Sequence, residues 1–271
     1  MSIFKLNSYQ FNPFLLFQMI YPSVCLACEQ EIALMCPLCI QEIDWITINT
    51  CQICGLFDVL HTGDCPRCIS HPLNHQASLA IIPYHHPTSK YLTQVKYQKN
   101  SSFSEFYRLL DFCHFRLSQP TILSRFPKQI TDIISMPTQT KRLWQRGVSI
   151  PHLFAKSIQN LAVLQKAQYH TNLLKLTRFQ GQQIHLNGQE RWTAQEGLYQ
   201  INLSKMRKLR SLENRFLLLV DDVSTTGSTF FHAVEACVQA GFRRDQIFTL
   251  SIFGSVSTQS TQSTQSTQSS S

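Results

Sequence analysis

The spacing of apolar residues divides the chain before any motif is read. Leu217 to Val220 are apolar without a polar break, which predicts a strand buried on both faces, as in a parallel sheet. Past Gly227, residues Phe230, Ala233, Val234, Cys237 and Val238 recur at helical spacing and predict a helix running to Gly241. Ile130 to Met136, stopped by Pro137, is a second buried strand. Ala77–Tyr84 and Gln246–Phe253 read as two more. Helical periodicity covers Thr88–Lys99, Phe103–Leu117 and Pro151–Leu164, the last opened by Ser149 as cap with Pro151 in its first turn. Cys113 and Cys237 stand alone inside helical patterns and read as buried apolar residues.

The two ends follow other rules. Phe4 to Ile20 is apolar but interrupted by Lys5, Asn7, Gln10, Asn12 and Gln18, too broken for a membrane span and without a small-residue cleavage site. It reads as an amphipathic lead-in and the chain as cytoplasmic. Residues 255–271 become Ser-Thr-Gln repeats in which Val256 is the one apolar residue, too little to offset ordering entropy, so they read as a disordered tail.

Cysteine spacing changes the picture most. Eight of the ten cysteines form four Cys-x-x-Cys pairs within the first 68 residues: Cys25/Cys28, Cys36/Cys39, Cys51/Cys54 and Cys65/Cys68. Such pairs present two thiolates to one tetrahedral zinc. The module is short, and metal binding would add folding free energy on the order of 10 kcal/mol or more per site. Sequential sharing (the first four on one ion, the last four on the other) needs only short loops; an interleaved arrangement stays open. Four ligands per ion leave no position for a substrate, so the zinc is structural. His61, His71 and His75 read as loop histidines. The boundary between this module, residues 1–76, and the domain at 77–254 falls near residue 76. Eight thiolates and two Zn²⁺ ions bring the formal charge of +8 down to about +4, too moderate for pI alone to argue for nucleic acid.

Chemistry concentrates where the Leu217–Val220 strand ends. Asp221 and Asp222 are followed by Ser224, Thr225, Thr226, Gly227, Ser228 and Thr229. Free backbone amides and a helix N-terminus after such a loop suit a phosphate, with hydroxyls as added donors. The two carboxylates repel phosphate and suit sugar hydroxyls or a metal ion. A basic loop follows the other buried strand: Thr138, Lys141, Arg142 and Arg146, ending at Gly147, bring cations to a strand end and suit a pyrophosphate. The cluster Lys205, Arg207, Lys208, Arg210 and Arg215 reads as a solvated face.

The Leu217–Thr229 segment resembles the PRPP-binding motif of type I phosphoribosyltransferases. With the cysteine module, Val95-Lys96-Tyr97, the Pro137–Gly147 loop and Gln183 to Arg191, the chain resembles the ComF family over roughly residues 20 to 254. Val148-Ser149 and Ala194 depart from the family's residues. The resemblance implies an α/β fold: a mostly parallel twisted sheet flanked by helices, preceded by the zinc module. It implies Mg²⁺ with PRPP as ligand, Asp221 and Asp222 as the catalytic pair, and contacts from residues 224–229, Thr138, Lys141, Arg142, Arg146 and Lys96. It also implies a place in natural transformation, with single-stranded DNA, a DNA helicase and recombination proteins as partners. Two readings stay open: a phosphoribosyltransferase with an unnamed acceptor, and a binding module that keeps the cradle for PRPP or for single-stranded DNA.

Overall fold

A computed structural model describes residues 25, 28, 30, 36–57, 59, 65–85, 88–89, 92, 103–123, 125, 129–177, 195–209 and 211–257. The strands are β1 (Ala77–Tyr84), β2 (Asp132–Ser135), β3 (Gln168–His170), β4 (Leu174–Leu176), β5 (Tyr199–Ile201), β6 (Leu217–Ser224) and β7 (Ile247–Ser255). The helices are α1 (Pro37–Ile48), α2 (Pro66–Ser70), α3 (Phe103–Leu117), α4 (Pro120–Leu123), α5 (Thr140–Arg146), α6 (Ile150–Ile158), α7 (Leu203–Met206) and α8 (Ser228–Gln239).

Five strands form one parallel sheet in the order β1-β7-β6-β2-β3, as the apolar runs require. β4 and β5 pair antiparallel in a separate two-stranded sheet. Leu217 to Val220 alternate between two cores and are each at most 1% exposed. On one face Leu218 and Val220 meet Phe112 and Cys113 of α3 and Phe154 and Ile158 of α6. On the other, Leu217, Leu219 and Ile134 meet Phe230, Val234 and Cys237 of α8, with Leu174 and Ile201 of the small sheet. Burying each such side chain is worth about 1.5–3 kcal/mol. Cys113 and Cys237 are fully buried, and burial raises both thiols above their ordinary value, Cys237 to about 12. Pro83 is tolerated because β1 lies at the sheet edge.

Helix α3 has the predicted bounds, and Ser149 accepts from the His152 N–H as the expected cap, at 3.4 Å. Helix α6 is shorter than its periodicity predicts. It stops at Ile158, and a 3₁₀ turn at Ala162–Leu164 follows. The Leu161 N–H bonds the Ile158 carbonyl at 2.9 Å and Gln159 Nε2 donates to the Ala167 carbonyl at 2.9 Å. This turn keeps Leu164 in the core while the chain reverses into β3. The last strand runs through Ser255, Val256 bridges to Phe57, and the Ser257 N–H bonds the Phe57 carbonyl, so order reaches past the point where tail composition begins. Residues 258–271 and most of the predicted Thr88–Lys99 helix lie outside the described residues.

Asp132 places a carboxylate at the start of a buried strand. Its side chain is inaccessible, and it accepts from His170 Nε2 at 2.6 Å, Arg215 Nη1 at 2.6 Å and the Thr131 hydroxyl at 2.5 Å. Burial alone would raise this carboxyl, but the His170 and Thr131 hydrogen bonds and the Arg215 charge hold it below its ordinary value. Arg215 is thus not part of a solvated basic face.

Candidate functional site

β2 and β6 are neighbours, with Ser135 opposite Val220 and the Met136 N–H bonded to the Val220 carbonyl at 2.8 Å. After β2 the chain continues outward to β3; after β6 it continues the other way to β7. The strand order therefore reverses between β2 and β6, and the crevice beyond their carboxyl ends is where open α/β sheets take ligands. Both motif loops emerge there.

Along β6, Asp221 is buried and Asp222 half-buried, and Asp221 Oδ1 accepts the Asp222 N–H at 2.8 Å. Gly227 caps α8 with φ +83, a left-handed conformation that disfavours a side chain, and no atom stands within 4 Å of where a Cβ would be. The loop is shaped from inside: Thr226 Oγ1 donates to Ser228 Oγ at 3.1 Å and accepts the Ser228 N–H at 3.4 Å. The remaining first-turn amides of α8, including that of Thr229, have no partner within the helix by construction, so donors and the positive helix end face the crevice mouth.

The β2 loop is also ordered by its own polar side chains. Thr138 Oγ1 and Ser149 Oγ lie 2.7 Å apart, closing the two ends of the segment that carries α5. Gly147 ends α5 with φ +74. Lys141 is exposed on α5, and Trp144 beside it is 85% exposed. The side chains of Arg142 and Arg146 lie outside the described residues, as do Lys96, Gln183 and Arg191. A cavity of about 380 Å³ opens against this loop, lined by Ser135, Thr138, Gly147, His152 and Leu174 among others. In its wall Ser135 Oγ and His152 Nδ1 are joined through Tyr169 Oη by contacts of 2.9 and 2.6 Å. Burial lowers the His152 imidazole, with Lys156 adding to the effect, and burial raises Tyr169. His152 and Tyr169 were not legible as site residues, because an isolated His or Tyr in an amphipathic segment carries no signal of what lies across from it.

The cysteines pair sequentially. Cys25, Cys28, Cys36 and Cys39 form one group and Cys51, Cys54, Cys65 and Cys68 the other, with all ligand atoms of each group within 4.8 Å. A tetrahedron with Zn–S near 2.3 Å sets its sulfurs about 3.8 Å apart. The Sγ separations of 3.7 Å (Cys28–Cys36), 3.8 Å (Cys51–Cys68) and 3.5 Å (Cys54–Cys65) fit that figure and lie far beyond a disulfide. Each group can therefore hold a structural zinc ion. His75 takes no part: burial lowers it to about 4, and it bonds Ser78 at 2.8 Å.

The second group lies against the β6 loop. Arg67, between Cys65 and Cys68, donates to the Thr225 carbonyl and to Ser255 Oγ, and Nη1 reaches the Cys54 carbonyl at 3.4 Å. Sequence reasoning missed Arg67, since a lone Arg inside a Cys-x-x-Cys pair says nothing about a loop 158 residues away.

No helix among the described residues is long and apolar enough to cross a membrane. No family model matches the chain. It is 24% identical over 236 residues to the DNA utilization protein YhgH of Salmonella typhimurium, covering 84% of this chain and 96% of that protein. Over 233 residues it is 24% identical to the Escherichia coli K12 protein of that name and 25% identical to the Shigella flexneri one, with the same coverage. The similarity thus extends over more than four-fifths of this chain.

Proposed function

We propose that this chain binds Mg²⁺-PRPP at the crevice beyond β2 and β6 and serves the handling of DNA. The observation that carries the ligand reading is the strand-order reversal, which puts the Asp221–Thr229 loop beside the Ser135–Lys141 loop. The DNA reading is supported by its similarity to the DNA utilization proteins. In this reading the 5′-phosphate lies on residues 224–229, the ribose hydroxyls meet Asp221 and Asp222, and the pyrophosphate meets Thr138, Lys141, Arg142 and Arg146. Displacement at the anomeric carbon gains rate if these donors bind the departing pyrophosphate more strongly as its charge builds. Mg²⁺ would neutralise part of that charge. We assign the role of acceptor to no particular nucleophile.

Calorimetric titration of Mg²⁺-PRPP into the zinc-loaded protein, beside Asp221→Asn/Asp222→Asn, tests the reading. Saturable binding that the double variant lacks is the expected result; a folded wild type that takes up no heat would end it.

A second reading, single-stranded DNA as a ligand of the same edge, is favoured by Trp144. An indole 85% exposed next to exposed Lys141 offers a stacking face and a phosphate contact. Binding of an oligothymidylate that weakens with salt and about tenfold or more on Trp144→Ala, but survives Trp144→Phe, is expected. Equal binding by all three proteins would remove it.

A further inference from the structure

We propose that Arg67 makes the second cysteine group a metal-dependent clamp on the β6 loop, so that filling this group sets the loop's affinity for a phosphate-bearing ligand. The clamp rests on the ligand reading given above; its geometry does not.

Arg67 sits in the five-residue helix α2, and the flanking ligands Cys65 and Cys68 fix where that helix lies. Its guanidinium ties three points together: the carbonyl of the ligand Cys54, the carbonyl of Thr225, and Ser255 Oγ at the end of β7. Ser255 Oγ itself donates to the Thr225 carbonyl at 2.9 Å, so that one carbonyl is held by two donors from different elements. A trans peptide points its C=O and N–H in opposite directions. Holding the Thr225 carbonyl toward the cysteine group therefore aims the Thr226 N–H away from it and removes a freedom the loop would otherwise lose on binding an anion.

A second tie runs alongside. Asn74 Nδ2, just past the group, donates to the Phe231 carbonyl at 3.0 Å and to Glu235 Oε1 at 2.7 Å on α8. Arg244 bonds both Glu235 oxygens at 2.7 and 3.0 Å and the Asn74 carbonyl at 3.2 Å. Strand, loop and first turns of α8 thus lean on a segment whose own core is small: Cys54, Leu56 and Cys65, with Val59 and Leu73 beside them. Four thiols in so small a core depend on a cation to stay together. When the cation leaves, α2 loses both anchors and Arg67 loses its position. Linkage makes the coupling reciprocal: whatever factor zinc adds to phosphate binding, bound phosphate adds to zinc retention.

The test reads the loop without a ligand first. Hydrogen exchange of peptides covering residues 224–229 is compared in zinc-loaded wild type, Arg67→Ala and Arg67→Lys, with zinc content measured in each. The expected result is two zinc ions in all three, exchange about tenfold or more faster in Arg67→Ala, and intermediate exchange in Arg67→Lys. Mg²⁺-PRPP should bind correspondingly more weakly to Arg67→Ala and should slow zinc loss to a chelator only where the clamp is intact. Unchanged loop exchange in an Arg67→Ala protein that keeps both ions would overturn the clamp. Faster exchange with no PRPP binding to wild type would keep the clamp and remove the ligand reading. If Arg67→Ala loses an ion, chelator withdrawal from wild type decides: loop exchange that rises in step with loss from Cys51–Cys68 supports the clamp, and exchange that ignores it overturns it.

Discussion

The two cysteine groups open and close with the same Cys-x-x-Cys pair, yet their surroundings differ. Cys25, Cys36 and Cys39 belong to the main core, in one apolar cluster with Ile43, Ile81 and Phe112. Cys54 and Cys65 belong to a satellite core of their own. The Cys36 N–H points at Cys25 Sγ at 3.3 Å, and Ile43 of the helix that follows is 1% exposed. The second group instead spends its polar contacts on the sheet edge and the β6 loop: the Ser78 N–H bonds the Ile53 carbonyl at 2.8 Å, and Arg67 reaches Thr225. Identical ligand chemistry thus supports a fold in one place and adjoins a site in the other.

The difference should show most in paired cysteine variants. Cys36→Ser/Cys39→Ser opens the main core, and losing about 10 kcal/mol of metal binding exceeds or matches the whole stability of an ordinary domain. We expect no cooperative thermal transition. Cys54→Ser/Cys65→Ser should keep that transition, with one zinc by metal analysis. Equal collapse of both would erase the distinction.

Asp132 calibrates the scale, because it lies at the opposite end of the strands from the crevice. Asp132→Ala leaves the half-buried Arg215 charge without its partner and should cost about 3 kcal/mol in urea unfolding at neutral pH, with both zinc ions retained. The sign with pH follows from its lowered carboxyl. Unfolded, the group titrates near pH 3.9, so its stabilisation is complete above that value and drains away as pH falls through the lower folded one. Wild type should lose more stability than the variant as pH falls from about 5 through the range in which metal analysis shows both proteins keep their zinc, and the difference between them isolates the carboxylate.

A smaller effect tests the sheet edge. At Gly254 an added Cβ would stand 2.4 Å from Ala80 Cβ and 3.1 Å from the Phe57 ring. Gly254→Ala should cost about 1–3 kcal/mol and hasten zinc release from the second group only, measured with a chelator. Unchanged release would mean that Phe57 does not seat that group.

What sequence could carry is clear from particular residues. Leu217–Val220, the acidic pair after it and the four Cys-x-x-Cys pairs are local patterns, and local patterns survive without knowledge of contacts. Which cysteines share an ion is not local: both pairings satisfied the spacing, and packing chose the sequential one. The Asp132–His170–Arg215 cluster left one trace, a carboxylate next to Ile133 and Ile134, but its partners lie 38 and 83 residues away. The end of α6 at Ile158 was hidden because apolar spacing continues through Leu164 while the backbone turns.

One feature of the sheet bears on how the chain is made. β1 is an edge strand whose neighbour is β7, and the Ser78 and Thr249 hydroxyls that meet across this pair, 2.6 Å apart, are separated by 171 residues. During synthesis β1 emerges soon after Cys68 and must wait for nearly the whole remaining chain, a stage in which unpaired strands are open to other chains. Both cysteine groups are complete before that wait begins. The hydrogen bond from Ser78 to Ile53 gives the waiting strand a first partner from its own N-terminal side. If zinc fills these groups as the chain emerges, its supply is part of what decides whether β1 waits covered or bare.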